Sequence, residues 1–240
     1  MKLKYCLIVL IISSFLASIV QTNFGKVDIT LERLDTENSQ YIYYDLYKPK
    51  TATVENKAPF IAIIPGFQRS KEALSNIAIE LSRRGIVSIS IDPYAQGSSS
   101  SSMSTRAATT EGYGMFAMVD FIYNTDILNY IDKKKIGATG HSAGGLAAIR
   151  GAQYFGMQAE NLKEESKIHS AFISGMIRMG FKPKDIGKIK SNVGISYAYY
   201  DEGAWQNILG NGDMSIAPVS YTHLRAHETD SYLVCRLLLE

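Results

Sequence analysis

Ile136-Gly137-Ala138-Thr139-Gly140-His141-Ser142-Ala143-Gly144-Gly145 is the stretch whose reading decides how this 240-residue chain folds. A run with strand character reaches Gly140, and an alanine-rich helical run (Leu146, Ala147, Ala148, Ile149, Ala152) leaves from Gly145. A turn that sharp puts Ser142 into a strained backbone conformation. Side chains two places before and after it would collide, and both places, Gly140 and Gly144, are glycine. The bend lifts the hydroxyl clear of the sheet, and the start of the helix aims N–H groups at the space beside it.

Gly140-His141-Ser142-Ala143-Gly144 spells G-x-S-x-G, the nucleophile-elbow pattern, in the strand-before, helix-after context that the pattern requires. From about Val27 to Asp201 the chain resembles the α/β-hydrolase superfamily, in particular its serine esterases and dienelactone-hydrolase-like members. The resemblance implies an α/β fold, a mostly parallel twisted sheet with helices on both faces. It implies that Ser142 is the nucleophile and that the backbone N–H of Ala143 is one oxyanion donor. The second donor comes in this superfamily from the loop after an early buried strand. Here Pro59-Phe60-Ile61-Ala62-Ile63-Ile64-Pro65-Gly66 is continuously apolar and runs into Gly66-Phe67-Gln68-Arg69. Pro65 stands where the superfamily often has histidine, which leaves the backbone role intact. The donor carries over to Phe67, with Gln68 as the fallback. The superfamily's acid follows the seventh strand, read here as Asn192 to Tyr199, which selects Asp201, next to Glu202. Its order Ser, then acid, then His puts the base later still.

Elsewhere the pattern is of strands and helices in alternation. Two amphipathic segments, Val27–Leu31 and Tyr41–Tyr47, read as antiparallel edge strands. Ser70 is placed to cap a helix carrying Ala73, Leu74, Ile77, Ala78 and Leu81 at helical spacing, ended by Gly85. The strand Ile86–Asp92 delivers Asp92-Pro93-Tyr94-Ala95-Gln96-Gly97-Ser98, which resembles the superfamily's Asp-x-x-Gly-x-Gly loop; Asp92 reads as a structural anchor of it. The serine run 98–102 reads as a flexible loop whose hydroxyls face water, and Lys133-Lys134-Lys135 as a solvated turn. His169, at the start of a sixth strand, reads as structural, and His141 points the wrong way to serve Ser142.

The ends are of another kind. Lys2 and Lys4 precede an apolar run from Tyr5 to Val20, broken only by Ser13, Ser14 and Ser18. Residues 1–22 are therefore a signal peptide or an N-terminal membrane anchor, and without an A-x-A cleavage site the anchor is favoured. The domain is then extracytoplasmic, or secreted if the segment is cleaved. Residues 27–217 form the hydrolase domain, expected to be C-terminally incomplete before the last strand. Residues 218–240 resemble translated sequencing-adapter read-through and are read as a non-native tail, so His223 and His227 are set aside as bases. The catalytic histidine is expected beyond residue 217, and without it such a site keeps only about 10³- to 10⁴-fold acceleration over water.

A net charge of +2 argues against a nucleic-acid partner, and Cys6 and Cys235 lie outside the domain, which leaves no disulfide framework or cysteine metal site. No metal and no cofactor are expected. The expected function is a serine hydrolase acting on a small-molecule ester or related acyl substrate. The alternatives are acyl transfer from the same site, or a non-catalytic hydrolase-like binding module at the membrane. Substrate and oligomeric state are not fixed by the sequence.

Overall fold

The computed structural model describes residues 2–100, 112–175 and 187–196. Asp201, Glu202, His223, His227 and the 218–240 segment lie outside them. Helix α1 (Lys2–Gln21) leads through a turn into strand β1 (Val27–Asp35), followed by β2 (Tyr41–Pro49) and β3 (Ala58–Ile64). A short 3₁₀ segment, Lys71–Leu74, leads into α2 (Ser75–Arg83) and then β4 (Val87–Ile91). After α3 (Met115–Asn124) come β5 (Ile131–His141), α4 (Ala143–Leu162), β6 (Ser170–Ser174) and β7 (Asn192–Ser196).

The seven strands form one sheet in the order β1-β2-β4-β3-β5-β6-β7. β1 and β2 pair antiparallel, β2 and β4 antiparallel, and the remaining five strands run parallel. Side-chain alternation decides the two faces. Phe60, Ala62 and Ile64 of β3 pack with Val87, Ile89 and Ile91 of β4 against α3 and α4. Ile61 and Ile63 point the other way, toward Ala78 and Leu81 of α2. Each fully buried side chain of this size contributes about 1.5–3 kcal/mol.

On the α2 face β4 presents two buried serines, and each is satisfied. The Ser88 hydroxyl donates to the Ala78 carbonyl (2.9 Å) and the Ser90 hydroxyl to that of Lys71 (2.7 Å). A short polar side chain there lets α2 approach the sheet while its hydroxyl is satisfied by a nearby carbonyl.

Four local expectations are corrected. β2 is not an edge strand: β4 flanks it on the side away from β1, because the chain crosses over before the parallel sheet begins. Ser70 makes no side-chain capping bond, since the chain enters the helix through the 3₁₀ turn. Lys133–Lys135 belong to β5, whose pairing with β3 shifts register between Ala58 and Phe60. Finally, Ser99 and Ser100 are buried rather than solvent-facing. The Ser99 hydroxyl accepts from the Tyr43 N–H (2.9 Å) and donates to the Asp92 carbonyl (2.6 Å); the Ser100 hydroxyl accepts from the Tyr41 N–H (3.2 Å). They take over the pairing of β2 where β4 stops, so backbone groups that would otherwise be orphaned are satisfied. Ser101 and Ser102 lie outside the described residues.

Candidate active site

Ser142 sits between the last residue of β5 and the first of α4, with φ 55° and ψ −119°. That backbone is sparsely populated by non-glycine residues and persists only where its surroundings enforce it. The enforcement is visible. The Ser142 N–H donates to the Ser174 carbonyl of β6 (3.0 Å), and the Leu146 N–H donates to the Ser142 carbonyl (3.1 Å). A Cβ on Gly144 would overlap the carbonyl oxygens of Ile64 and Pro65; one on Gly140 would overlap Gly144 and sit 2.6 Å from the Ile64 oxygen. The two glycines thus let α4 start directly against the end of β3. The Ser142 side chain is half-buried, and its hydroxyl has no hydrogen-bond partner among the described residues.

The loop after β3 lies beside this serine. A Cβ placed on Gly66 would be 3.3 Å from the Ser142 Cβ, a distance only a residue without a side chain accepts comfortably. Among the described residues, the N–H groups of Phe67 and of Ala143, at the start of α4, both lack a partner. The Gln68 N–H is engaged instead, donating to the Gln96 Oε1. Phe67 therefore presents the open donor of this loop, and the fallback at Gln68 is disfavoured.

Gln96 is the residue that sequence reasoning missed. It is buried, and its amide grips the loop on three sides: Oε1 accepts from Gln68, while Nε2 donates to the carbonyls of Gly66 and Arg69, both at 3.3 Å. Gln68 itself takes a positive φ of 54°, a conformation that a non-glycine residue keeps only when held. In the sequence Gln96 is one polar residue in a polar loop; nothing marks it as reaching 28 residues back.

Asp92, 1% exposed, anchors the same loop from below. Its Oδ1 accepts from the Lys71 N–H (2.7 Å), its Oδ2 from the Ser98 N–H (2.9 Å), and the Lys71 ammonium lies 3.7 Å from Oδ2. A Cβ on Gly97, whose φ is 54°, would overlap the carboxylate, so the glycine is what lets the loop close over it. Nearby, the Glu72 carboxyl is held down at about 2 by its hydrogen bonds with Lys71 and then Ser70. That pair adds stability above the ordinary carboxylate range and loses it as pH falls toward 2, modestly because Glu72 is mostly exposed. Asp92→Ala leaves two N–H groups without acceptors and Lys71 without its buried counter-charge. We expect about 3 kcal/mol of lost stability, read as a lower denaturation midpoint in urea.

Neither described histidine is placed to deprotonate Ser142. His169 accepts from the Ile136 N–H through Nδ1 (3.4 Å), level with the middle of β5, six residues or roughly 20 Å from Ser142 along the strand. The exposed His141 side chain makes no hydrogen bond to Ser142. Asp201, the acid selected from the sequence, falls outside the described residues.

The fold that holds these residues has counterparts. A family model described as PET hydrolase-like matches residues 15–162, which is more than half of the chain. An esterase from Pyrococcus furiosus is 14% identical and superposes with a TM-score of 0.54 over 72% of this chain and 72% of its own. Thermogutta terrifontis esterase 2, in a form phosphorylated by paraoxon, is 17% identical with a TM-score of 0.50, over 71% of this chain and 69% of its own. An α/β hydrolase from Penicillium sp. sh18 is 17% identical over 62% of this chain, with a TM-score of 0.49; the match spans 46% of that protein, about half its length. No curated protein sequence matches. A strand order that puts an elbow serine beside the loop after β3, together with the match over 15–162, settles the family: this chain has the α/β-hydrolase fold and belongs to the PET hydrolase-like family.

Proposed function

We propose that the protein is a serine hydrolase that cleaves an ester or related acyl substrate, with Ser142 as nucleophile. The observation that carries this reading is the backbone of Ser142, forced to φ 55° by glycines on both sides, with unpartnered N–H groups at Ala143 and Phe67. Serine is a poor nucleophile at neutral pH, so attack on the carbonyl needs a base to take its proton. We assign that base to a histidine that follows Asp201 in chain order and is neither His223 nor His227. Asp201 orients it and stabilises its cation. The tetrahedral oxyanion is held by the N–H groups of Ala143 and Phe67; loss of one such donor typically costs roughly 10²- to 10³-fold in rate. Membership of a PET hydrolase-like family and the esterase neighbours favour an ester carbonyl as the point of attack.

The test is covalent capture. In protein that carries the assigned histidine, a fluorophosphonate, or paraoxon as in the Thermogutta enzyme, should add to Ser142, located by mass spectrometry of the peptide that contains it, and Ser142→Ala should abolish the adduct. If that protein folds and its Ser142 stays unmodified through prolonged exposure, the hydrolase reading is refuted and a binding module is favoured. The rate of capture is expected to be unchanged when His223 and His227 are both replaced by alanine; a tenfold fall would make one of them the base. Acyl transfer is distinguished by product analysis, since a hydrolase releases the free acid even when alcohols compete.

A further inference from the structure

We infer that the catalytic face looks away from the membrane, so that this protein takes its ester substrate from the extracytoplasmic aqueous phase and not from the lipids around its own anchor. The inference rests on Ser142 being the nucleophile and on α1 remaining in the bilayer. Segment Leu3–Gln21 is long and apolar enough to cross a membrane, with a mean hydropathy of 2.3 and no part of it buried against the domain. Twenty helical residues rise about 30 Å, the thickness of the hydrocarbon layer, so α1 has no length to spare.

The exit from the helix is short and tied down. Only residues 22–26 separate α1 from β1. Within them the Val27 N–H donates to the Thr22 carbonyl (2.9 Å) and the Phe24 N–H to the Ile19 carbonyl (2.7 Å). From the domain side, the Arg83 guanidinium at the end of α2 donates to the Val20 carbonyl in the last turn of α1 (2.6 Å). A cation on the last carbonyls of a helix satisfies an acceptor that would otherwise be open and opposes the helix dipole. The domain therefore does not swing on a long tether.

Topology then fixes which pole meets the lipid. Val27 pairs with Pro49, and Tyr47 of the same strand pairs with Ser88, two places before the end of β2 and one after the start of β4. The chain thus enters the domain at the level of Ile86, just before the parallel strands begin. In the same register Val87 aligns with Phe60, and Phe60 with Ile136. From that level to Ser142 is about seven residues of β5, or roughly 23 Å along the strands. The described groups assigned to catalysis, Ser142 and the N–H groups of Ala143 and Phe67, sit at the far ends of β3 and β5, while the anchor joins at the near end. The near pole carries what an interface needs. Phe24, in the turn after α1, is 73% exposed, and Arg83, which reaches the last turn of that helix, pairs with Glu80. An exposed aromatic beside the end of a membrane helix suits the headgroup layer.

Depth measurement tests this on the full chain in proteoliposomes. With Cys6 and Cys235 replaced by serine, single labels are attached through Phe24→Cys and Arg69→Cys, the latter exposed in the loop beside Ser142. Nitroxide-headgroup lipids should quench a fluorophore at 24 several-fold and leave one at 69 near its unquenched intensity. Equal quenching at both positions would overturn the orientation, and quenching at neither would overturn the embedded anchor. Fluorophosphonate capture of Ser142 in the same vesicles reports separately on the nucleophile, so the two readings fail independently. With Ser142 reactive, hydrolysis of p-nitrophenyl acetate without release of fatty acid from the vesicle lipid is the expected outcome; lipid hydrolysis would refute the substrate class.

Discussion

Gly144→Ala should abolish capture of Ser142 by a fluorophosphonate and lower the melting temperature by roughly 6–12 °C. The new methyl group has no space. It would overlap two backbone carbonyl oxygens, those of Ile64 and Pro65, and backbone cannot rotate away as a side chain can. Relief requires α4 to withdraw from the end of β3, at about 3 kcal/mol for an overpacked core position. That withdrawal carries the Ala143 N–H out of line with the loop after β3, so reactivity is lost in the molecules that still fold. Gly85→Ala provides the comparison. Its φ is 86° and nothing lies within 4 Å of a Cβ there, so conformational strain of about 1–2 kcal/mol is the whole effect. A glycine substitution that costs stability alone at 85, but stability and capture together at 144, isolates the elbow from glycine effects in general. Capture at undiminished rate in Gly144→Ala would remove the steric account of Ser142.

The same contrast shows what the sequence could and could not reveal. The elbow was legible because its constraint is local: five consecutive residues must be small, exposed or strained in a set order, and the order is written in the chain. β3 was legible because a strand covered on both faces is apolar throughout, and the α2 face because burial repeats every 3.6 residues along a helix. The position of β2 inside the sheet was not legible, since the same alternation suits an edge strand and a half-covered inner one. Nor was the burial of Ser99 and Ser100. A serine run reads as solvated unless it is known that β4 ends at Ile91 and leaves the N–H groups of Tyr41 and Tyr43 in need of acceptors. Asp92 fell between the two: its loop pattern was recognised, but its partners at Lys71 and Ser98 come from packing. Asp201 stands as an inference from order alone, because it lies beyond the described part of the chain.

Gln96 carries the second large expectation, and it follows from the kind of contact that sequence does not display. The Phe67 N–H can serve an oxyanion only if the turn Gly66–Arg69 holds its shape, and Gln96 bonds both ends of that turn and its middle. Gln96→Ala releases all three groups. On the proposed mechanism the turn then samples conformations in which the Phe67 N–H points elsewhere, and the transition state loses one of its two assigned donors while ester binding is little changed. We expect kcat to fall roughly 30- to 300-fold, below the limit set by outright loss of one donor, with KM within about threefold. Gln96→Glu separates positioning from mere space-filling. It keeps the shape and an acceptor for the Gln68 N–H, but it sets a carboxylate oxygen against the Gly66 and Arg69 carbonyls where Nε2 donated. Unlike pairs become like pairs in a buried place, so the Glu variant should be at least as slow as the Ala variant at neutral pH. Relative to the unaltered protein at the same pH, it should recover part of the lost rate as pH falls toward 5, because a protonated carboxyl can donate to one of those carbonyls while the histidine base titrates alike in both. A purely structural role would give both variants a lower melting temperature with no such pH-dependent recovery, and a Glu variant faster than the Ala variant at pH 8 would show that the clamp is not what holds the donor.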